Sequence, residues 1–324
     1  MTPQVSILVP IFNVEKYIER CAVSLFGQTF EDIEYVFVND CTQDKSIEIL
    51  TNILEKYPKR KEQVKIIHHK KNRGLAAARI TGVKNSTGKY ILFSDSDDYI
   101  EKNIVELLLD KILSEKADIA VCDFFINNKQ TEKIVEDKVF DDTEQCRKSI
   151  IEAQFSMSAV WNKLIYRDLY NSCNQLPEGL DFGEDRYMMM QLYFLANKIV
   201  KIDKPLYHYV INTNSISHNI SEKHFQNTVL RWEMIEEFYR KHNAYDKYKD
   251  IIGVTKIKSK GEIMLNTNQP YLLRKYADMF CEDEAVYFHQ LTLDKKIILF
   301  LVRKKVFFAA QIFSKLLRLY NKLI

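Results

Sequence analysis

Tyr90-Ile91-Leu92-Phe93-Ser94-Asp95-Ser96-Asp97-Asp98 is the stretch whose reading decides the fold. Its first residues are aromatic or branched and predict a strand buried on both faces. Three carboxylates follow at once. Side chains alternate along an extended chain, so Asp95 and Asp97 point one way and Ser96 the other. Two convergent carboxylates at a rigid strand end suit a hard divalent cation, Mn²⁺ or Mg²⁺, which also takes phosphate oxygens. The plainer reading is a strand end followed by a helix N-cap, with Asp98 capping a helix from about Glu101.

Upstream, strand and helix patterns alternate. Val5–Pro10, Ile33–Val38, Val64–His68 and Tyr90–Phe93 read as strands. Glu15–Phe26, Asp44–Tyr57 and Leu75–Lys84 read as helices between them, the second ended by Pro58 and the third entered through Asn72-Arg73-Gly74. The crossovers are long enough for right-handed βαβ units, so the expected fold class is α/β, a mostly parallel sheet with helices on both faces. Ligands of such sheets bind beyond the carboxyl ends of the strands. The polar residues gather there: Asn13, Asn39-Asp40, and Asp95-Asp97-Asp98.

No Gly-x-Gly-x-x-Gly follows the first strand, and no Gly-x-x-x-x-Gly-Lys-Ser/Thr occurs. A dinucleotide-binding or P-loop enzyme is therefore disfavoured. Any phosphate must be held by metal and side chains, with Arg79 as a candidate; a surface arginine is the alternative. Downstream, a helix over Ile104–Leu113 precedes a strand at Asp118–Cys122. Phe124–Asn127 and Ile134–Phe140 read as antiparallel strands around Asn128-Lys129-Gln130. A helix from about Arg186 to Leu195 follows Glu184-Asp185, an acidic pair either complementing the helix dipole or holding a general base at the helix N-terminus. Leu206–Ile211 reads as an edge or hairpin strand, followed by a polar loop, Asn212–Ser217. His208 and His218 are candidates to face the site, a structural histidine being the alternative.

The 324 residues fit one core domain over 1–220 and a helical appendage over 221–324. Net charge is only +3, which weighs against nucleic-acid binding. Six scattered cysteines with no Cys-x-x-Cys point to free thiols in a reducing compartment. The N-terminus has no basic leader, and no apolar run reaches the roughly 18–20 residues of a membrane span. The expected location is the cytoplasm.

At this point the blocks Val5–Asn13, Ser24–Thr29, Val38–Ser46, Asn72–Arg79, Asp95–Asp98, Trp161–Leu164 and Gly183–Asp185 together resemble the family 2 glycosyltransferases, over roughly Val5–Ser217. That resemblance implies the GT-A fold and inverting transfer of a sugar from a nucleotide-diphosphate donor, UDP-linked by preference, to a saccharide or lipid-linked acceptor. By the resemblance, Pro10, Phe12, Asn13, Asp40, Arg79, Asp95 and Ser96 contact the nucleotide-sugar. Pro10 and Phe12 would line the base, Asp40 its imide edge, and Asp95 the ribose. Asp97 would bind the metal and Asp185 would be the base. Glu184, Trp161 and His208 are candidate acceptor or accessory residues. Asn39 departs from the family, which often has Asp there, and Tyr207–Val210 lacks the arginine that often follows the aromatics. A catalytically degenerate binding protein of the same fold is the alternative. A sugar-phosphate nucleotidyltransferase is disfavoured because Val9–Asn13 has no glycine.

Beyond Ser221 the pattern is helical: Glu222–His242, Tyr245–Leu265, Pro270–Phe280 and Lys295–Ile324. Eight Lys/Arg and one acid lie between Asp294 and Ile324, so the rest of the chain is net acidic. The last helix predicts a polar face through Gln311, Ser314, Lys315 and Arg318, with Val306, Phe307, Ala310, Phe313, Leu317 and Tyr320 turned away from it. A basic amphipathic helix suits the inner face of an anionic membrane. Packing on its own core or on another subunit of a homo-oligomer is the alternative.

Overall fold

The computed structural model describes residues 2–128, 131–152, 155–212, 220–267 and 269–323. They fall into two compact units that divide between Asn212 and Thr213.

In the first unit, β1 (Val5–Ile11), α1 (Ile18–Phe26), β2 (Ile33–Asn39), α2 (Ser46–Leu54), β3 (Val64–His68), α3 (Leu75–Lys84) and β4 (Tyr90–Phe93) follow in alternation. A two-residue β5 (Tyr99–Ile100) leads to α4 (Ile104–Ser114) and β6 (Ile119–Asn127). Then come β7 (Glu132–Val135), α5 (Thr143–Glu152), the short α6 (Phe155–Ser158), β8 (Lys163–Tyr166), α7 (Arg167–Ser172), α8 (Glu184–Leu195) and β9 (Ile199–Val210). The sheet order is β3-β2-β1-β4-β8-β6-β9-β5, with β7 on β6. The β3-β2-β1-β4 half is parallel. β8 runs antiparallel to both β4 and β6. β1, β2 and β4 are nearly all apolar and buried, as strands covered on both faces must be.

Several expectations change. The strand expected at Ile134–Phe140 is Glu132–Val135, fixed by its pairing to Phe124–Asn127. The segments expected separately at Asp118–Cys122 and Phe124–Asn127 form one strand, with a register irregularity on either side of Asp123. β9 is not an edge: its end lies between β6 and β5. Asp98 does not cap α4, which begins at Ile104. Instead Asp98 is buried and accepts hydrogen bonds from Tyr207 Oη at 2.8 Å and the Val210 backbone N–H at 2.7 Å.

The second unit is helical: α9 (Glu222–Lys241), α10 (Tyr245–Asn266), α11 (Pro270–Lys275), α12 (Cys281–Tyr287), α13 (Leu293–Arg303) and α14 (Phe307–Leu323). The expected helix over Lys295–Ile324 is thus two. The chain leaves α13 at Lys304, and Lys305 takes a left-handed backbone with φ 60°. The expected Pro270–Phe280 helix stops at Lys275, and Phe280 is likewise left-handed at φ 56°. No described helix is long and apolar enough to cross a membrane. His218 and most of the Asn212–Ser217 loop lie outside the described residues.

One buried ion pair pins the centre of the first unit. Lys163 Nζ lies 3.2 Å from Asp137 Oδ2, and it also donates to Ala159 O and Asn162 Oδ1. Asn162 bonds the same carboxylate at 2.9 Å. Both ion-pair side chains are fully buried. Asp137→Ala therefore strands a buried ammonium, and we expect a loss of about 3–5 kcal/mol in denaturant unfolding. A loss below about 1 kcal/mol would show the pair to be dispensable.

Candidate active site

The ends of β1, β2 and β4 open on one edge of the parallel half-sheet. Just past β1, Phe12 is 44% exposed, unusual for an aromatic beside a buried strand. Asn13 follows with φ 55°, and Cys41, just past β2, has φ 61°. Two non-glycine residues in the left-handed region at neighbouring strand ends are the kind of local strain that gathers at functional sites. Thr42 joins the two turns, accepting from the Asn13 backbone N–H at 2.8 Å.

Asp40 is nearly buried and occupied within the protein. It accepts from the backbone N–H groups of Arg73 (2.9 Å) and Gly74 (2.8 Å) and pairs with His69 Nδ1 at 2.7 Å. About one of its four lone pairs is left for a ligand. The other ring nitrogen of His69 meets Thr81 Oγ1 on α3 at 2.8 Å. The end of β2 therefore anchors the turn that starts α3.

Arg79 sits one helical turn further along α3 and is 3% exposed. Its Nη2 donates to Asp95 Oδ1 at 3.0 Å. Its Nη1 donates to Glu184 Oε1 at 2.7 Å and to Asp185 Oδ1. It is therefore neither a surface arginine nor a guanidinium free for phosphate; three carboxylates hold it. Burial opposes its charge, but Asp185, Asp95 and Glu184 outweigh that and raise its pKa. Burial lifts the Asp185 carboxyl well above the ordinary carboxylate range, against the lowering effect of Arg79; Glu184 and Asp95 add to the rise. A carboxylate raised in this way accepts a proton more readily than a free one.

Asp95 and Asp97 lie in a turn just past β4, closed by the Asp98 backbone N–H on Asp95 O at 3.2 Å, and Ser96 between them is buried. Asp97 accepts one hydrogen bond from Asn212 Nδ2 at 3.2 Å. Burial, then the charge of Asp95, raises its pKa. Under-compensated oxygen ligands of this kind fit a divalent cation. Among the described residues no three acidic, His or Cys side chains could together enclose one. Such an ion would take its remaining ligands from substrate phosphates and water, the usual state of Mg²⁺.

Sequence reading missed three contributors, Tyr207, Glu178 and Asp181. Tyr207 reaches the aspartate turn, donating to Asp98 and accepting from the Asp95 backbone N–H at 3.1 Å. Trp161, expected as an acceptor contact, is 2% exposed and stacks on Tyr207 at 4.3 Å, so it braces that turn. His208, next along β9, has the opposite parity. It lies between Tyr99 (4.1 Å) and Phe125 (4.4 Å), with Nε2 on Glu101 Oε1 at 2.9 Å, so its ring is engaged away from the aspartate turn. Glu178 and Asp181 tie the loop before α8 to α3: Glu178 pairs with Arg73, and Asp181 accepts from the Ala76 N–H at 3.4 Å.

The fold and the carboxylate-lined strand ends are those of a GT-A glycosyltransferase, and residues 6–174 match the family model Glycosyl transferase family 2. The chain belongs to that family. It is 30% identical to the putative glycosyltransferase EpsH of Bacillus subtilis over 272 residues, covering 82% of this chain and 77% of EpsH. Its fold is similar to that of S. aureus TarS in complex with UDP-GlcNAc (TM-score 0.62, 21% identity, covering 94% of this chain and 92% of that one). It is also similar to the mannosyltransferase PcManGT from Pyrobaculum calidifontis in complex with GDP-Man and Mn²⁺ (TM-score 0.52, 13% identity, covering 99% and 88%).

Gly74 shows how tightly the loop before α8 is set. Its φ is +88°, and a Cβ there would lie 2.3 Å from the Asp181 carboxylate. Gly74→Ala should therefore cost more than about 1 kcal/mol of stability. An unchanged melting temperature would mean that the loop does not rest on α3.

Proposed function

We propose that this glycosyltransferase moves a sugar from a UDP-sugar to a hydroxyl of a saccharide or lipid-linked saccharide acceptor, with inversion, in cell-surface polysaccharide or glycolipid assembly. The observation that carries this reading is the Arg79 bridge, which joins the aspartate turn after β4 to Asp185 at the start of α8. Donor-side and acceptor-side carboxylates thereby share one cleft edge.

Phe12 offers a face for the nucleobase, Pro10 and Asn13 shape the turn beside it, and Asp40 fixes the neighbouring turn. Asp95 holds the ribose region, whereas Ser96, expected to share that contact, is buried within the turn. Asp97 would ligate Mn²⁺ or Mg²⁺, which when bound neutralises charge on the departing diphosphate. Direct attack by the acceptor from the face opposite the leaving group inverts the anomeric carbon, so no carboxylate nucleophile is needed. Asp185 takes the hydroxyl proton, while Arg79 and Glu184 hold its carboxylate in place. The UDP preference is supported by the fold's likeness to TarS. The six free cysteines suit a reducing cytoplasm, and the reaction fits the inner face of the cell membrane.

Asp185→Asn should lower kcat by about 10²–10⁴-fold, with donor affinity nearly intact. Near-normal turnover would make Asp185 a helix-capping residue only. The acid limb of kcat/KM should lie above the ordinary carboxylate value of about 4. The base must be ionised to act, so activity falls as pH drops through its raised pKa. Arg79→Gln removes the lowering influence and should move that limb higher, with Arg79→Lys partly restoring it. A limb that stays put in Arg79→Gln would detach Arg79 from the base.

A further inference from the structure

The last helix carries its apolar residues on an unexpected side. Ala310 and Ser314 face inward, fully or almost fully buried, and the Ser314 hydroxyl bonds back to Ala310 O at 2.9 Å. Small residues there let α14 approach the rest of the helical unit closely. The consequence is that Phe308 (76% exposed), Ile312 (45%), Leu316 (60%) and Leu319 (52%) form an outward stripe at helical spacing. Contiguous exposed aliphatic and aromatic surface of this kind marks an interaction site.

Charge indicates what covers it. The turn into α14 is Arg303-Lys304-Lys305, and all three residues are exposed. Lys315 lies beside the stripe, three residues after Ile312 and four before Leu319. None of these four cations is ion-paired to a described carboxylate. The only acid from Asp294 onward is Asp294 itself. A second copy of the chain docking through this face would set one cationic patch against another. A nucleic acid would leave the apolar stripe without a counterpart. An anionic lipid surface satisfies both features: the acyl boundary takes the stripe and the headgroups take the cations.

We propose that α14 and the basic turn before it form a docking surface for an anionic bilayer, with the helix lying in the plane of the interface. This does not depend on the chemistry assigned to the strand-end site.

The test is co-sedimentation of the full chain with vesicles of phosphatidylcholine mixed with phosphatidylglycerol, compared with phosphatidylcholine alone. The expected result is binding to the anionic vesicles, little to the neutral ones, and weakening as salt rises. Each cation contributes about fivefold in partitioning, so Lys304→Gln/Lys315→Gln should reduce binding about 25-fold. Phe308→Asp/Leu316→Asp should abolish it. All four positions are exposed, so melting temperature and the shift given by UDP with Mn²⁺ should match the parent chain, which separates this surface from the donor site. Failure of the parent chain to bind anionic vesicles, equal binding to neutral ones, or unchanged binding by Phe308→Asp/Leu316→Asp would overturn the proposal. So would a concentration-dependent dimer that Phe308→Asp/Leu316→Asp dissociates, which would assign the face to a second copy.

Discussion

A single buried guanidinium organises the functional edge of this protein. Arg79 has almost no solvent contact and shares its two terminal nitrogens among Asp95, Glu184 and Asp185. Burying a charge costs several kcal/mol unless partners compensate it. Three carboxylates more than compensate Arg79, and Arg79 in turn offsets part of their mutual repulsion. The aspartate turn and the start of α8 are more than eighty residues apart in sequence, and the arginine on α3 ties them together. Neither carboxylate cluster would keep its geometry if the other moved.

Around this centre the other contacts are supports. Tyr207 holds Asp98 and the Asp95 backbone, and Trp161 stacks on Tyr207. Asp40 and His69 fix the turn into α3, while Asp181 and Glu178 fix the loop before α8. Preorganisation of this kind keeps the few groups that meet charge in the reaction at fixed positions, where their fields act without reorganisation. Asp97 differs: it receives one side-chain hydrogen bond, from Asn212, and is otherwise under-compensated. On the proposed reading, that imbalance is what a bound cation would offset.

Much of this was legible in the sequence. α3 runs over Leu75–Lys84 and β4 over Tyr90–Phe93, as read, because glycines and a buried apolar run mark their limits. Strand alternation does not govern Asp95 and Asp97, because the chain has left β4 at Phe93 and turns there, with the Asp98 N–H on Asp95 O. The same rule applied to β9 would have separated Tyr207 from His208, since neighbours on a strand face opposite sides. The sequence could not reveal that Asp98 turns inward, because its partners lie on β9, more than a hundred residues away. Nor did composition mark the break before α14, where a lysine and not a glycine takes the left-handed backbone. The phase of α14 was misread for a physical reason. Ser314, assigned to the polar face, packs inward with Ala310 because small residues allow close helix approach, and Phe308 and Leu316, on neither expected face, are exposed.

On the proposed function, the Asp95–Asp98 turn is a metal-assisted nucleotide-diphosphate site. The most direct measurement is the thermal stability of the chain with UDP and GDP, each with and without Mn²⁺, in the parent protein and in Asp97→Ala. A ligand at about 100 times its dissociation constant stabilises a fold by about 2.7 kcal/mol. The expected result is a shift of that size with UDP that requires the metal and disappears in Asp97→Ala. A metal-independent shift, or one that survives in Asp97→Ala, would contradict it.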